Sequence, residues 1–140
     1  MSYDPNNIFA KILRGEAPCI RIFEDDQTLV IMDIMPQSEG HVLVLTKEAA
    51  AQIFELSEEA AAACMRTARK AALAVKAALE PAGVILAQAN GAAAGQTVPH
   101  LHVHVIPRRD GQFLAMHAAK PADPAQLEKI AERIKAAWPA

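Results

Sequence analysis

Three histidines alternate with aliphatic residues in the stretch Pro99-His100-Leu101-His102-Val103-His104-Val105-Ile106-Pro107-Arg108. Alternation with period two marks a half-buried strand, so the imidazoles share one face while Leu101, Val103 and Val105 share the other. Neutral imidazole, with an ordinary pKa near 6.5, presents a free ring nitrogen at neutral pH. A row of imidazoles can ligate a metal, or it can divide nucleophilic attack and proton transfer between neighbours. Packing alone accounts poorly for three such groups on one face, because polar side chains are seldom buried without purpose.

Strand geometry weighs against the simplest metal site. Residues two apart in a strand are separated by about 6.8 Å, which puts the Cα atoms of His100 and His104 about 13–14 Å apart. Zinc–nitrogen bonds are only about 2.0–2.1 Å, so a single ion is reached by at most two of the three. His41 offers a further ligand, but no carboxylate lies nearby in sequence.

Chemistry at phosphorus fits better, because the preceding loop Asn90-Gly91-Ala92-Ala93-Ala94-Gly95-Gln96-Thr97-Val98 suits an anion. Gly95 permits close backbone approach, and successive N–H groups from Gln96 to Val98 can form an anion nest. Thr97 adds a hydroxyl and Asn90 an amide. No Lys follows the glycines, so this is not a Walker-type phosphate loop.

The elements that must position these groups are legible in order. Ile8, Phe9, Ile12 and Leu13 recur at helical spacing, with Asn7 as cap and Gly15 as stop. Ile20–Glu24 and Thr28–Met32 read as strands joined by an Asp25-Asp26-Gln27 turn. Pro36 and Gly40 mark a loop, and His41–Leu45 forms an apolar strand covered on both faces. Ser57 caps the longest helix, whose stripe is Ala61, Cys64, Met65, Ala68, Ala72, Val75 and Leu79. Pro81 and Gly83 end it, and Gly83–Ala89 follows as a strand. Asp123-Pro124 opens a last helix, with Leu127, Ile130, Ala131, Ile134 and Trp138 as its buried side. Without a regular βαβ rhythm, these elements argue an α+β fold with a mostly antiparallel sheet.

A chain of 140 residues, 52% hydrophobic and 21% charged, is expected to form one globular domain over residues 1–140. The net charge of −2 gives no reason to expect bulk nucleic-acid or membrane binding. Cys19 and Cys64 match no CxxC spacing, which fits a reducing compartment. No leader pattern or bilayer-length apolar run is evident, so a cytoplasmic location is expected.

His100-Leu101-His102-Val103-His104-Val105-Ile106 resembles the motif of the histidine triad superfamily of nucleotide hydrolases and transferases. Ile8-Phe9-x-Lys11-Ile12-x-x-Gly15-Glu16-x-Pro18, Glu24-Asp25-Asp26, Asp33-Ile34-x-Pro36-Gln37-x-x-Gly40-His41 and Asn90-Gly91-x-x-x-Gly95-Gln96-x-Val98 resemble its nucleotide-binding branch. The resemblance implies a sheet of about five strands with one long helix, a short N-terminal helix and a C-terminal helix. It also implies a homodimer formed by extending the sheet across a two-fold axis.

For function it implies attack on the α-phosphate of an AMP-like purine nucleotide by His102, through a covalent nucleotidyl-histidine. His104 is implied on the phosphate side, with His100 and His41 in support. Asp33 would bind the ribose hydroxyls, Ile34 would line the base pocket, and Asn90, Gly95, Gln96, Thr97 and Val98 would surround the phosphates or leaving group. At Asp33 a simple Asx turn is the rival reading. No cofactor is required by this route, although a divalent ion can accompany a polyphosphate substrate. Asn7-Ile8-Phe9-Ala10 stands where some relatives carry a zinc-binding Cys pair, so no structural metal is expected. Arg108–His117 and the C-terminal segment match least, and leaving-group choice is expected to lie there; His117 itself receives no role. A non-catalytic nucleotide-binding regulator is the alternative, and a metal-binding protein comes third.

Overall fold

A computed structural model describes residues 3–111 and 121–140. His117 and much of the Arg108–His117 stretch therefore lie outside the described residues. Asn7 caps α1 (Ile8–Leu13) by accepting the Ala10 N–H at 2.8 Å. β1 (Arg21–Glu24) and β2 (Thr28–Met32) form the expected hairpin. One carboxylate oxygen of Asp25 closes its turn, accepting the N–H groups of Gln27 and Thr28 and the Thr28 hydroxyl.

β3 (Val42–Thr46), α2 (Glu58–Leu79), β4 (Gly83–Ala87), β5 (His102–Arg108) and α3 (Pro124–Ala136) complete the chain, with single 3-10 turns at Ile53–Glu55 and Ala92–Ala94. All strand pairings are antiparallel, in the order β1-β2-β3-β5-β4, so β5 lies inside the sheet and β4 at its edge. The α+β class stands as the sequence implies.

Alternation assigns the two faces. Val30, Met32, Val42, Val44, Val103 and Val105 join the core that includes the buried sides of α2 and α3. Leu29, Ile31, Leu43 and Leu45 point the other way and pack with Phe9 and Ile12 of α1. His104 and His102 stand opposite Leu43 and Leu45 in the β3–β5 register, which puts both histidines on this second face.

Three expectations need correction; the first is Trp138, which follows the end of α3 at Ala136 and stacks half-buried on Phe23 instead of joining the buried side of the helix. The buried stripe of α2 is Ala60, Ala63, Cys64, Thr67, Ala68, Ala71, Ala74, Val75 and Leu79, while Met65 is 56% exposed. A helix dominated by alanine offers little contrast between its faces, and large residues elsewhere decide which side is covered. Thr67 goes inside because its hydroxyl meets that of Thr28 at 2.8 Å. His100 also lies outside β5: its N–H closes onto the Val98 carbonyl around Pro99, ending the straight strand before the first histidine.

Candidate active site

The four histidines meet on the α1 side of the sheet, each ring held in one tautomer by its neighbours. The ring centroids of His102 and His104 are 4.9 Å apart, and those of His104 and His41 are 5.2 Å apart. His102 donates from Nδ1 to the His100 carbonyl at 2.6 Å, since a carbonyl can only accept. Its lone pair is therefore on Nε2. His41 accepts the Gln37 N–H on Nδ1 at 3.0 Å, which leaves the proton on Nε2. That Nε2–H donates to His104 Nδ1 at 3.0 Å, so His104 carries its own proton on Nε2. One ring thus offers a nucleophilic lone pair while its neighbour offers an N–H donor.

Burial keeps these rings neutral. His41 is 1% exposed, and burial, reinforced by the neighbouring His104 and His102, pushes its pKa down to about 3. Burial likewise lowers His102 to about 4, against the raising effect of its bond to the His100 carbonyl. His100 and His104 move in the same direction, each through burial first.

Asp33 makes an Asx turn and faces the site as well. Its Oδ1 accepts the Met35 N–H at 2.8 Å, while Oδ2 lies 3.5 Å from His41 Nε2. With His41 neutral this contact is no ion pair, and burial raises the Asp33 carboxyl. Beside it, Ile34 and Met35 are 59% and 40% exposed, an apolar surface next to the carboxylate.

Asp33, His41 and His104 bring three possible ligand atoms within 4.8 Å of one another, the one such cluster among the described residues. A metal-bound imidazole donates its other N–H. Here His41 Nδ1 faces the Gln37 N–H, so metal on Nε2 would set two donors against each other. The donor spacing suits an ion and the tautomer opposes it.

The glycine loop is braced by its own amides. Gln96 accepts the Gly91 N–H and donates to the Ala51 and Val98 carbonyls. Asn90 pairs reciprocally with Gln88 and accepts the Ile53 N–H. Gly95, at φ 97°, holds a left-handed conformation that favours glycine. The Gln96 N–H is spent on the Gly91 carbonyl, whereas those of Thr97 and Val98 have no acceptor among the described residues. The side chains of Asn90 and Gln96 are thus committed to shaping the loop, leaving two N–H groups for an anion. Sequence reasoning missed Gln88 and Tyr3. Gln88 carried no signal, and Tyr3 bonds to His100 Nδ1 from outside every motif.

Residues 14–111 match the HIT domain. The chain belongs to the HIT family. HIT proteins with solved structures superpose closely: a Hit-like protein involved in cell-cycle regulation from Bartonella henselae is 40% identical, with a TM-score of 0.92 over 98% of this chain and 99% of that one. A Zn-bound histidine triad family protein from Mycobacterium smegmatis is 35% identical, with a TM-score of 0.83 over 94% and 92% of the two chains. Among HIT relatives, adenosine 5′-monophosphoramidase hnt1 of Schizosaccharomyces pombe is 35% identical over 88% of this chain and 89% of its own length. Adenylylsulfatase HINT3 of Arabidopsis thaliana is also 35% identical over 91% of this chain, but the match spans only 64% of that protein.

Proposed function

We propose that this HIT protein is a nucleotide hydrolase or transferase that attacks the α-phosphate of an AMP-like purine nucleotide through His102. The observation that carries the reading is the 2.6 Å bond from His102 Nδ1 to the His100 carbonyl, which leaves Nε2 as a positioned lone pair. His102 Nε2 bonds to phosphorus as the bond to the leaving group breaks; an amine that enters protonated departs as the neutral amine, and the Nε2–H of His104 hydrogen-bonds to it as it leaves. Water then attacks phosphorus and gives up a proton to solvent, the phosphorus–nitrogen bond breaks, and the nucleoside monophosphate departs. Asp33 accepts from the ribose hydroxyls, Ile34 lines the base, and Thr97 and Val98 receive phosphate oxygens on a loop shaped by Asn90, Gly95 and Gln96. The covalent route itself requires no metal.

Phosphoramidates are the first substrate class to try, given the phosphoramidase relative, with dinucleoside polyphosphates second. Turnover of adenosine 5′-phosphoramidate stopped with denaturant at alkaline pH, where a phosphorus–histidine bond survives, should leave an adenylyl group on the peptide containing His102. Nucleotide binding without turnover or adduct would favour a non-catalytic regulator instead.

We also propose the homodimer, built at β4. This edge strand exposes Leu86, at 41%, beside Met65 and Ile53, at 56% and 46%. Unpaired edge groups next to an apolar patch are the features that sheet extension would cover. Sedimentation should show a dimer, and Leu86→Lys should dissociate it. No helix among the described residues is long and apolar enough to cross a membrane. Cysteines left unpaired, Cys19 and Cys64, fit a reducing, cytoplasmic setting.

A further inference from the structure

We infer that Tyr3 is a positioning residue for the reacting histidine: by anchoring His100 it fixes the carbonyl that holds the His102 ring. The inference rests on His102 being the nucleophile. It starts from Asn7, whose Oδ1 is committed to the Ala10 N–H at 2.8 Å. Its Nδ2 therefore points the other way and donates to the Tyr3 hydroxyl at 3.0 Å. On the far side, His100 Nε2 meets the Thr46 carbonyl at 2.7 Å, which can only accept, so that nitrogen carries the ring proton. His100 Nδ1 is then a bare acceptor, 2.6 Å from the Tyr3 oxygen, and Tyr3 must donate to it. Every link from Ala10 N–H to Thr46 carbonyl has one permitted direction.

The consequence falls on His102. His100 is 1% exposed and held at both ring nitrogens, and its own carbonyl receives the His102 Nδ1–H. Phe9 closes the arrangement edge-on, 6.4 Å from the His100 ring centre and 4.9 Å from that of His102. If the tyrosine hydroxyl is lost, His100 Nδ1 has no donor and the ring is held on one side only. The carbonyl that aims the nucleophile then loses its support.

Two substitutions in the full chain test this. Tyr3→Phe keeps the ring and removes the hydroxyl. Asn7→Asp keeps an acceptor for the helix cap but presents a carboxylate that draws the Tyr3 O–H away from His100. Both should lower kcat for adenosine 5′-phosphoramidate about tenfold with KM within about twofold, the signature of misorientation rather than lost binding. In 15N NMR of the imidazoles, both should shift His100 Nδ1 and broaden the His102 Nδ1–H signal. Unchanged kcat and unchanged imidazole signals overturn the inference. So does a kcat loss that disappears once activity is normalised to the folded fraction read from Trp138 emission. A parent chain that forms no product would defeat the functional reading instead, and the NMR comparison would still decide the role of Tyr3.

Discussion

His102 and His104 differ in what their Nδ1 atoms meet, a carbonyl in one case and an N–H in the other. In the proposed reaction that difference gives two identical side chains opposite tasks. His102→Ala should abolish turnover while leaving nucleotide affinity within about tenfold, roughly 1.4 kcal/mol. Turnover at the parent rate would remove His102 as nucleophile. Because His102 loses its proton at about 4, kcat/KM should stay level from neutral pH down to about pH 5 and fall only below it. A fall already centred near pH 6.5, the ordinary imidazole value, would contradict the burial seen here.

Elements aim these residues. Gly40, at φ 91°, turns the loop into β3 just before His41, and a Cβ there would collide with Leu79 of α2. Gly40→Ala should cost about 1–3 kcal/mol in urea unfolding and lower kcat by disturbing His41. Much of this was legible in the sequence. Asn7, Ser57 and Asp123 each cap a helix where expected, because capping depends on a few adjacent atoms. Period two placed His102 and His104 on one face and Val103 and Val105 on the other. The tautomers were not legible, since Gln37 and the His100 carbonyl act through distances set by folding. Nor was Tyr3, 97 residues from its histidine partner. The α2 stripe failed for a different reason: alanine marks neither the inside nor the outside of a helix.

For the whole molecule, neutral buried imidazoles carry a pH liability. His41 and His102 fall from an ordinary 6.5 to about 3 and about 4, so the unfolded chain binds protons that the folded chain refuses. Stability is then complete above pH 6.5 and declines as pH falls toward about 4, by up to about 1.4 kcal/mol per pH unit for each histidine. Asp33, raised by burial, acts in the opposite sense at the acid end. Glu24, lowered by its hydrogen bond from Lys47, contributes acid sensitivity that sets in as pH falls through the ordinary carboxylate value of 4.5. Urea midpoints followed by Trp138, which stacks on Phe23 with ring centres 4.6 Å apart, should therefore drop between pH 6.5 and 5. Constant midpoints would mean that the rings titrate normally.

The sheet order has one more consequence. β5 is paired by β3 from His102 to Val105 and by β4 from His104 to Arg108, so it holds the His104 backbone on both sides and the His102 backbone against β3, within the ladder rather than on a loop. Its amides should be among the slowest to exchange with deuterated water, opening only with the whole fold. The histidines of the proposed reaction would then stay in place through local fraying, and its turnover would serve as a gauge of global unfolding.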